Sequence, residues 1–208
     1  MASAELNSIA LKMVARKKGI LAADESTGTM TKRLDSINVE STSDSRRLWR
    51  QLLFQTPDIG DYISGVIMYD ETIRQSDDSG VSFVDLLASK DILSGIKVDN
   101  STHDLAGAPG EFITEGLDGL RGRLAEYYEI GARFTKWRAL IVIGEGQPSD
   151  NAIRTNMHAL ARYSALCQEQ GLVPIVEPEI FMDGSHSIDD CRSATTRSLK
   201  AVFEELDA

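Results

Sequence analysis

Cysteine, proline and histidine are scarce in this chain of 208 residues, which carries two, five and three of them. Each scarcity removes a class of protein from consideration. Cys167 and Cys191 both fall in helix-patterned segments, so a disulfide framework of the kind that staples small secreted domains is not indicated. His103, His158 and His186 are widely separated and show no metal-ligand spacing, which disfavours a zinc centre. No apolar run approaches the ~20 residues that a membrane span requires. The N-terminal stretch MASAELNSIALKMVARKKG is amphipathic, carries Glu5 early and lacks the apolar core of a signal peptide. Positive charge is also short: 22 Lys and Arg face 32 Asp and Glu, a net charge of −10. That balance argues against nucleic acid or an anionic membrane as the general partner. The expectation is a cytoplasmic protein in which any anionic substrate meets a local cationic pocket that overcomes the global field.

What is present is ordinary globular composition, 42% hydrophobic and 26% charged, and a length that accommodates one domain over residues 1–208. Helical periodicity and short apolar runs alternate along it. Leu6, Ile9, Ala10, Met13 and Val14 follow the spacing of one helical face, with Gly19 as the stop. GILAADE reads as a first strand. Leu48, Leu52 and Leu53 mark a helix ending before Pro57, and SGVIMYDE and GIKVD are the next strands. Leu117, Leu120, Leu124 and Tyr128 mark a helix closed by Gly131, followed by the strand FTKWRALIVI. Ser149 caps a helix through Ile153, Met157 and Leu160 that stops at Gly171. LVPIVEPEI is the fifth strand. Ser187 and Asp190 form a capping box for a last helix carrying Ala194, Leu199, Val202 and Phe203. Strand–helix succession of this kind calls for parallel strands with right-handed crossovers. It fits an open doubly wound sheet, a complete barrel with further units, or an incomplete (β/α)8 barrel, since a complete one needs eight units and typically ~250 residues.

Each strand carries charge at or near its C-terminal end: Asp24 and Glu25, Asp70 and Glu71, Lys97 and Asp99, Lys136 and Arg138, Glu177 and Glu179. Side chains two apart in a strand share a face, so Phe134, Lys136, Arg138 and Leu140 lie on one side. Two cations set together into an apolar run require an anionic partner. The expectation is that acids from the first and fifth strands face cations from the third and fourth, at the end of a parallel barrel where active sites are built. Patterning by itself implies an enzyme handling a polar, anionic substrate.

The segments KGILAADEST, WRQLLFQTPDIGDYISGVIMYDETIRQS, GIKVD, LAGAPGE, TEGLDGL, RFTKWRALI and VPIVEPEI closely resemble class I fructose-bisphosphate aldolase, in the same order and from about Leu6 onward. The resemblance implies a (β/α)8 TIM barrel, of which about the first five βα units are here. It also implies a homotetramer, and reversible metal-free and cofactor-free cleavage of fructose 1,6-bisphosphate into dihydroxyacetone phosphate and glyceraldehyde 3-phosphate in glycolysis and gluconeogenesis. By motif, Asp24 resembles the carboxylate at the C4 hydroxyl and Lys136 the cation beside the reacting centre. Glu177 resembles the general acid and base of carbinolamine dehydration, supported by Glu179. Ser26, Lys32 and Arg33 match the stretch near one phosphate, and Lys97 and Arg138 match charged pocket residues.

The resemblance also has limits. The family's Schiff-base lysine lies in a lysine–proline–asparagine motif on the sixth strand, and no such motif occurs among these residues. DNSTHDLAG departs from the more apolar loop that the family carries after its third strand. The alternative expectation is an inactive barrel fragment that binds sugar phosphates or acts as an interaction module. Its two exposed strand edges would be association hazards.

Overall fold

A computed structural model describes the backbone of residues 2–208 and the side chains of residues 4–208. Helix α1 (Ala2–Met13) leads into β1 (Gly19–Ala23), then α2 (Thr27–Asp35), α3 (Ser43–Phe54), the single turn α4 (Ile59–Tyr62) and β2 (Ile63–Met68). The turn α5 (Asp70–Ile73), α6 (Phe83–Ala88) and β3 (Leu93–Lys97) follow. A short antiparallel pair, β4 (Thr102–Asp104) and β5 (Phe112–Thr114), precedes α7 (Leu120–Ile130). Then come β6 (Phe134–Ile141), α8 (Asp150–Glu169), β7 (Val173–Ile180) and α9 (Ile188–Asp207). The main sheet has the order β1-β2-β3-β6-β7, with β1–β2 and β2–β3 parallel. All five expected strands are therefore present, in sequence order. No helix among the described residues is long and apolar enough to cross a membrane.

The chain forms two compact units. The first comprises the residues up to Lys97 with Leu124–Thr135 and Gln170–Val173; the second comprises Val98–Arg123, Lys136–Glu169 and Pro174–Ala208.

In the first unit, the core is built on Val66, Ile67 and Met68 of β2, Ile96 of β3, and Phe54 and Phe83, whose rings meet edge to face at 5.2 Å. Phe134 packs against two glycines. A Cβ added at Gly65 would stand 2.9 Å from its ring, and one at Gly95 would fall closer still. Helix α3 turns a different face inward from the one its leucines mark. Leu48 and Leu52 are exposed, Leu52 by 70%, while Arg50 and Phe54 are buried. A cation occupies a core position because a carboxylate meets it there, as described below.

In the second unit, Trp137 and Tyr163 stack at 5.5 Å between ring centroids. Helix α8 is tied to β5 at its start and its middle. Buried Glu111 accepts from the Ser149 backbone N–H at 2.7 Å and from its hydroxyl at 2.5 Å, and the Ser149 Oγ accepts from the N–H of Ala152. Fully buried Asn156 donates to the carbonyls of Phe112 and Ala152 and accepts from the Thr114 N–H. The capping box expected at α9 is formed by Ser187 and Asp190, which holds the Asp190 carboxyl below the usual aspartate range. On α9, Ala194, Ser198 and Val202 are the buried residues. Leu199 and Phe203, expected on the same face, are exposed.

Candidate functional site

Within the first unit, three acids and three arginines gather just beyond the C-terminal ends of β1 and β2. The chain leaves β1 at Ala23, buries Asp24, and places Glu25 immediately before the Ser26 N-cap of α2. The Glu25 carboxylate is held between two guanidiniums, ion-paired to Arg33 on α2 through Oε1 and to Arg50 on α3 through Oε2 at 2.7 Å. The Oε2 contact is an ion pair without hydrogen-bond alignment, because that oxygen has no hydrogen-bond partner. Arg50 also donates to the Glu25 carbonyl at 3.1 Å and to the Met30 sulfur at 3.2 Å. Its side chain is only 2% exposed. Burial pulls its guanidinium below the ordinary arginine range, against the field of Glu25 and Asp24. One helical turn earlier, Arg46 grips Glu71 with two parallel bonds of 2.8 and 2.7 Å and donates to the Ser41 carbonyl and hydroxyl. That bidentate bond, with the charges of Arg46 and Arg50, holds the Glu71 carboxyl below the usual glutamate range.

Of the expected phosphate residues, Ser26 is engaged locally. Its Oγ caps α2 by accepting from the Thr29 N–H at 3.4 Å and lies 3.2 Å from the Thr29 hydroxyl. The cap of this turn is therefore Ser26 and not Asp24. Lys32 and Arg33 occupy the last turn of α2, Lys32 exposed and Arg33 tied to Glu25. Lys97 is the last residue of β3 and is half-buried. Arg46 and Arg50 carried no expectation from patterning. Their i, i+4 spacing, which places both on one face of a helix, was the available signal.

Within the second unit, β6 alternates as its sequence requires. Trp137, Ala139 and Ile141 are buried, while Lys136, Arg138 and Leu140 form the half-buried face. The anionic partners for those cations come from β7: Lys136 Nζ lies 3.6 Å from Glu177 Oε2, and Arg138 Nη1 lies 3.4 Å from Glu179 Oε1. The backbone beneath them is held by side chains. The Arg138 N–H meets Asp99 Oδ2 at 3.5 Å, and the Arg138 carbonyl accepts from the Thr114 hydroxyl at 2.8 Å. Asp99 is itself fixed by the N–H of Ser101, and Arg123 clamps the carbonyls of Val98 and Gly116. The loop after the third strand thus positions β6, a role its composition did not disclose. It includes the β4–β5 pair, whose strands of three residues are too short to register as a periodic pattern.

The histidines stand apart from these charged pairs. His158 is exposed and pairs with Glu205 at 2.8 Å, and His103 lies 3.8 Å from Glu115. His186 lines a polar cavity of about 310 Å³ with Glu145, Asp190 and Arg197, and its Nδ1 is buried without a partner among the described residues. Both cysteines are free thiols.

Comparisons with known proteins bear on the family and the fold. The family model described as fructose-bisphosphate aldolase class-I matches residues 5–208. A protein named probable fructose-bisphosphate aldolase class 1 from Xanthomonas campestris is 55% identical over 206 residues, which are 99% of this chain and 62% of that protein. The cytosolic fructose-bisphosphate aldolase 6 of Arabidopsis thaliana is 56% identical over 189 residues, covering 91% of this chain and 53% of its own length. A solved fructose-bisphosphate aldolase from Plasmodium falciparum, in a ternary complex with TRAP and a small-molecule inhibitor, superposes with a TM-score of 0.97 at 47% identity, over 99% of this chain and 60% of the other. The chain therefore spans about 62% of the length of the first curated relatives it matches. Its strand–helix succession is that of part of a (β/α)8 barrel. On the match of its family model over nearly every residue, the chain belongs to the class-I fructose-bisphosphate aldolase family.

Proposed function

We propose that these residues serve reversible cleavage of fructose 1,6-bisphosphate through a lysine Schiff base, with the imine-forming lysine not among the 208 residues. In that chemistry an amine adds to the ketose C2 carbonyl, and the carbinolamine loses water to give an iminium. The C3–C4 bond then breaks, its electron pair entering the iminium system while the C4 hydroxyl gives up its proton. Asp24 takes that proton, and Glu177 supplies and recovers the proton of carbinolamine dehydration, with Glu179 in support. Lys136 polarises substrate hydroxyls and disfavours protonation of a neighbouring amine. Arg33, Lys32 and Ser26 receive a phosphate, and Lys97 and Arg138 complete the charged pocket. The reading takes residues 1–208 as one domain, an incomplete barrel, in a cytoplasmic homotetramer.

The observation that supports this most is the pairing of Lys136 with Glu177 and of Arg138 with Glu179, at separations of 3.6 and 3.4 Å. Contacts of that length are weaker than short charge-assisted bonds, so a bound substrate can compete for the same side chains. The test is calorimetric titration of the chain with fructose 1,6-bisphosphate, joined to borohydride trapping with dihydroxyacetone phosphate. Binding that Lys136→Met weakens about tenfold or more supports the roles given. A trapped adduct on Lys136 would make it the nucleophile, and no sugar-phosphate binding at all would leave only the inactive fragment acting as an interaction module.

A further inference from the structure

Arg33 does not stand open to solvent. Its side chain is 52% exposed but spends one arm of the guanidinium on Glu25, whose own side chain is 13% exposed and whose second oxygen faces buried Arg50. A carboxylate between two guanidiniums cannot leave the more deeply buried one cheaply, because a desolvated cation stripped of its partner is the costlier state. The exposed contact is the one free to break, since half-exposed ion pairs contribute little. Arg50 is further fixed by the Glu25 carbonyl and the Met30 sulfur, so the Glu25 backbone and carboxylate are both anchored from the α3 side. The three groups thus form a series of decreasing mobility: Arg50 fixed, Glu25 held by it, and Arg33 held by Glu25 alone among the ion pairs described.

We propose that Glu25 and Arg50 are positioning residues for Arg33: Arg50 anchors the Glu25 carboxylate, which holds the Arg33 guanidinium in a stored position until a phosphate oxyanion exchanges for it. No covalent step is involved; one charge-assisted pair replaces another, and Glu25 keeps Arg50 throughout. The device rests on the reading of Arg33 as a phosphate ligand. It makes that ligand selective, because a monoanion competes poorly with an anchored carboxylate while a phosphate dianion, with more acceptor oxygens, displaces it.

Inorganic phosphate titrated into the full chain by calorimetry tests this. Arg33→Met weakens phosphate binding about tenfold or more if Arg33 is the ligand; unchanged binding defeats both that reading and the storage device. Glu25→Gln alone strands buried Arg50 and threatens folding, so the informative variant is Glu25→Gln with Arg50→Met, which removes the buried pair together. With Arg33 released, that double variant binds phosphate about fivefold more tightly than the parent. A purely structural role for Glu25 and Arg50 gives the opposite sign, and equal or weaker binding in the double variant, with Arg33→Met still harmful, overturns the device alone. Guanidinium NMR of the unchanged chain gives a second reading. Phosphate shifts the Arg33 signals while those of Arg50 stay, and a response from Arg50 in place of Arg33 sinks the proposal.

Discussion

The two units solve the same problem, how to keep like charges together inside a fold, in different ways. In the first, Arg50 and Arg46 reach their carboxylates at 2.7–2.8 Å, with Arg50 almost wholly buried and Arg46 engaged bidentately. In the second, Lys136 and Arg138 stand 3.6 and 3.4 Å from Glu177 and Glu179, whose side chains are part-exposed. Arg46–Glu71 and Lys136–Glu177 are equally exposed, at 13%/28% and 13%/29%, so separation and bidentate alignment make the difference, and the longer contact is the one a ligand displaces at less cost. Proximity of opposite charges is thus a poor guide to chemistry, and the length and alignment of each contact say more.

That contrast can be broken at several points. Arg50→Ala leaves Glu25 part-buried without its anchor and should cost about 3–5 kcal/mol, read as a fall in the urea midpoint. A loss under about 1 kcal/mol would show that the first cluster is no more structural than an exposed pair. Asn156→Ala deletes three hydrogen bonds at a fully buried position. It should cost about 2–3 kcal/mol, and hydrogen exchange should quicken at Thr114 before it does in α1.

Glu71→Gln should cost about 1–2 kcal/mol, kept at the low end by partial exposure. Because the folded carboxyl titrates below its unfolded value of 4.5, its contribution is complete above that value and disappears as pH falls through the lowered one. A series of urea midpoints from about pH 7 to about pH 3 should therefore lose part of its acid limb in Glu71→Gln. Lys136→Met should cost less stability than Arg50→Ala, because its partner Glu177 is more exposed than Glu25, while weakening binding of fructose 1,6-bisphosphate. A midpoint loss matching that of Arg50→Ala would erase the distinction between the two units.

Much of this was legible from residue order alone. The Ser187–Asp190 box and the Ser149 cap are local signals needing no tertiary context, and both form. So do the stops at Gly131 and Gly171, where φ values of 116° and 76° suit glycine. The i, i+2 cations of β6 announced their need for acids, and β7 supplies them. The inward face of α3 was not legible, because hydrophobic periodicity ranks Leu48 and Leu52 above an arginine and cannot see that Glu25 will meet Arg50. Helix α2 was hidden as well: TGTMTKRLD contains three threonines and a glycine, a poor intrinsic helix, and it starts where Ser26 caps it.

The seat of Phe134 has a bearing on how the sheet finds its alignment. Along β3 the residues two before and two after Gly95 are Leu93 and Lys97, so sliding that strand by one pleat either way would push a bulky side chain into the space the aromatic ring needs. The benzyl group acts as a gauge that accepts one setting of its neighbours and rejects the adjacent ones by shape alone. The same steric proofreading that sets the strand also carries Lys97 to its place at the strand tip.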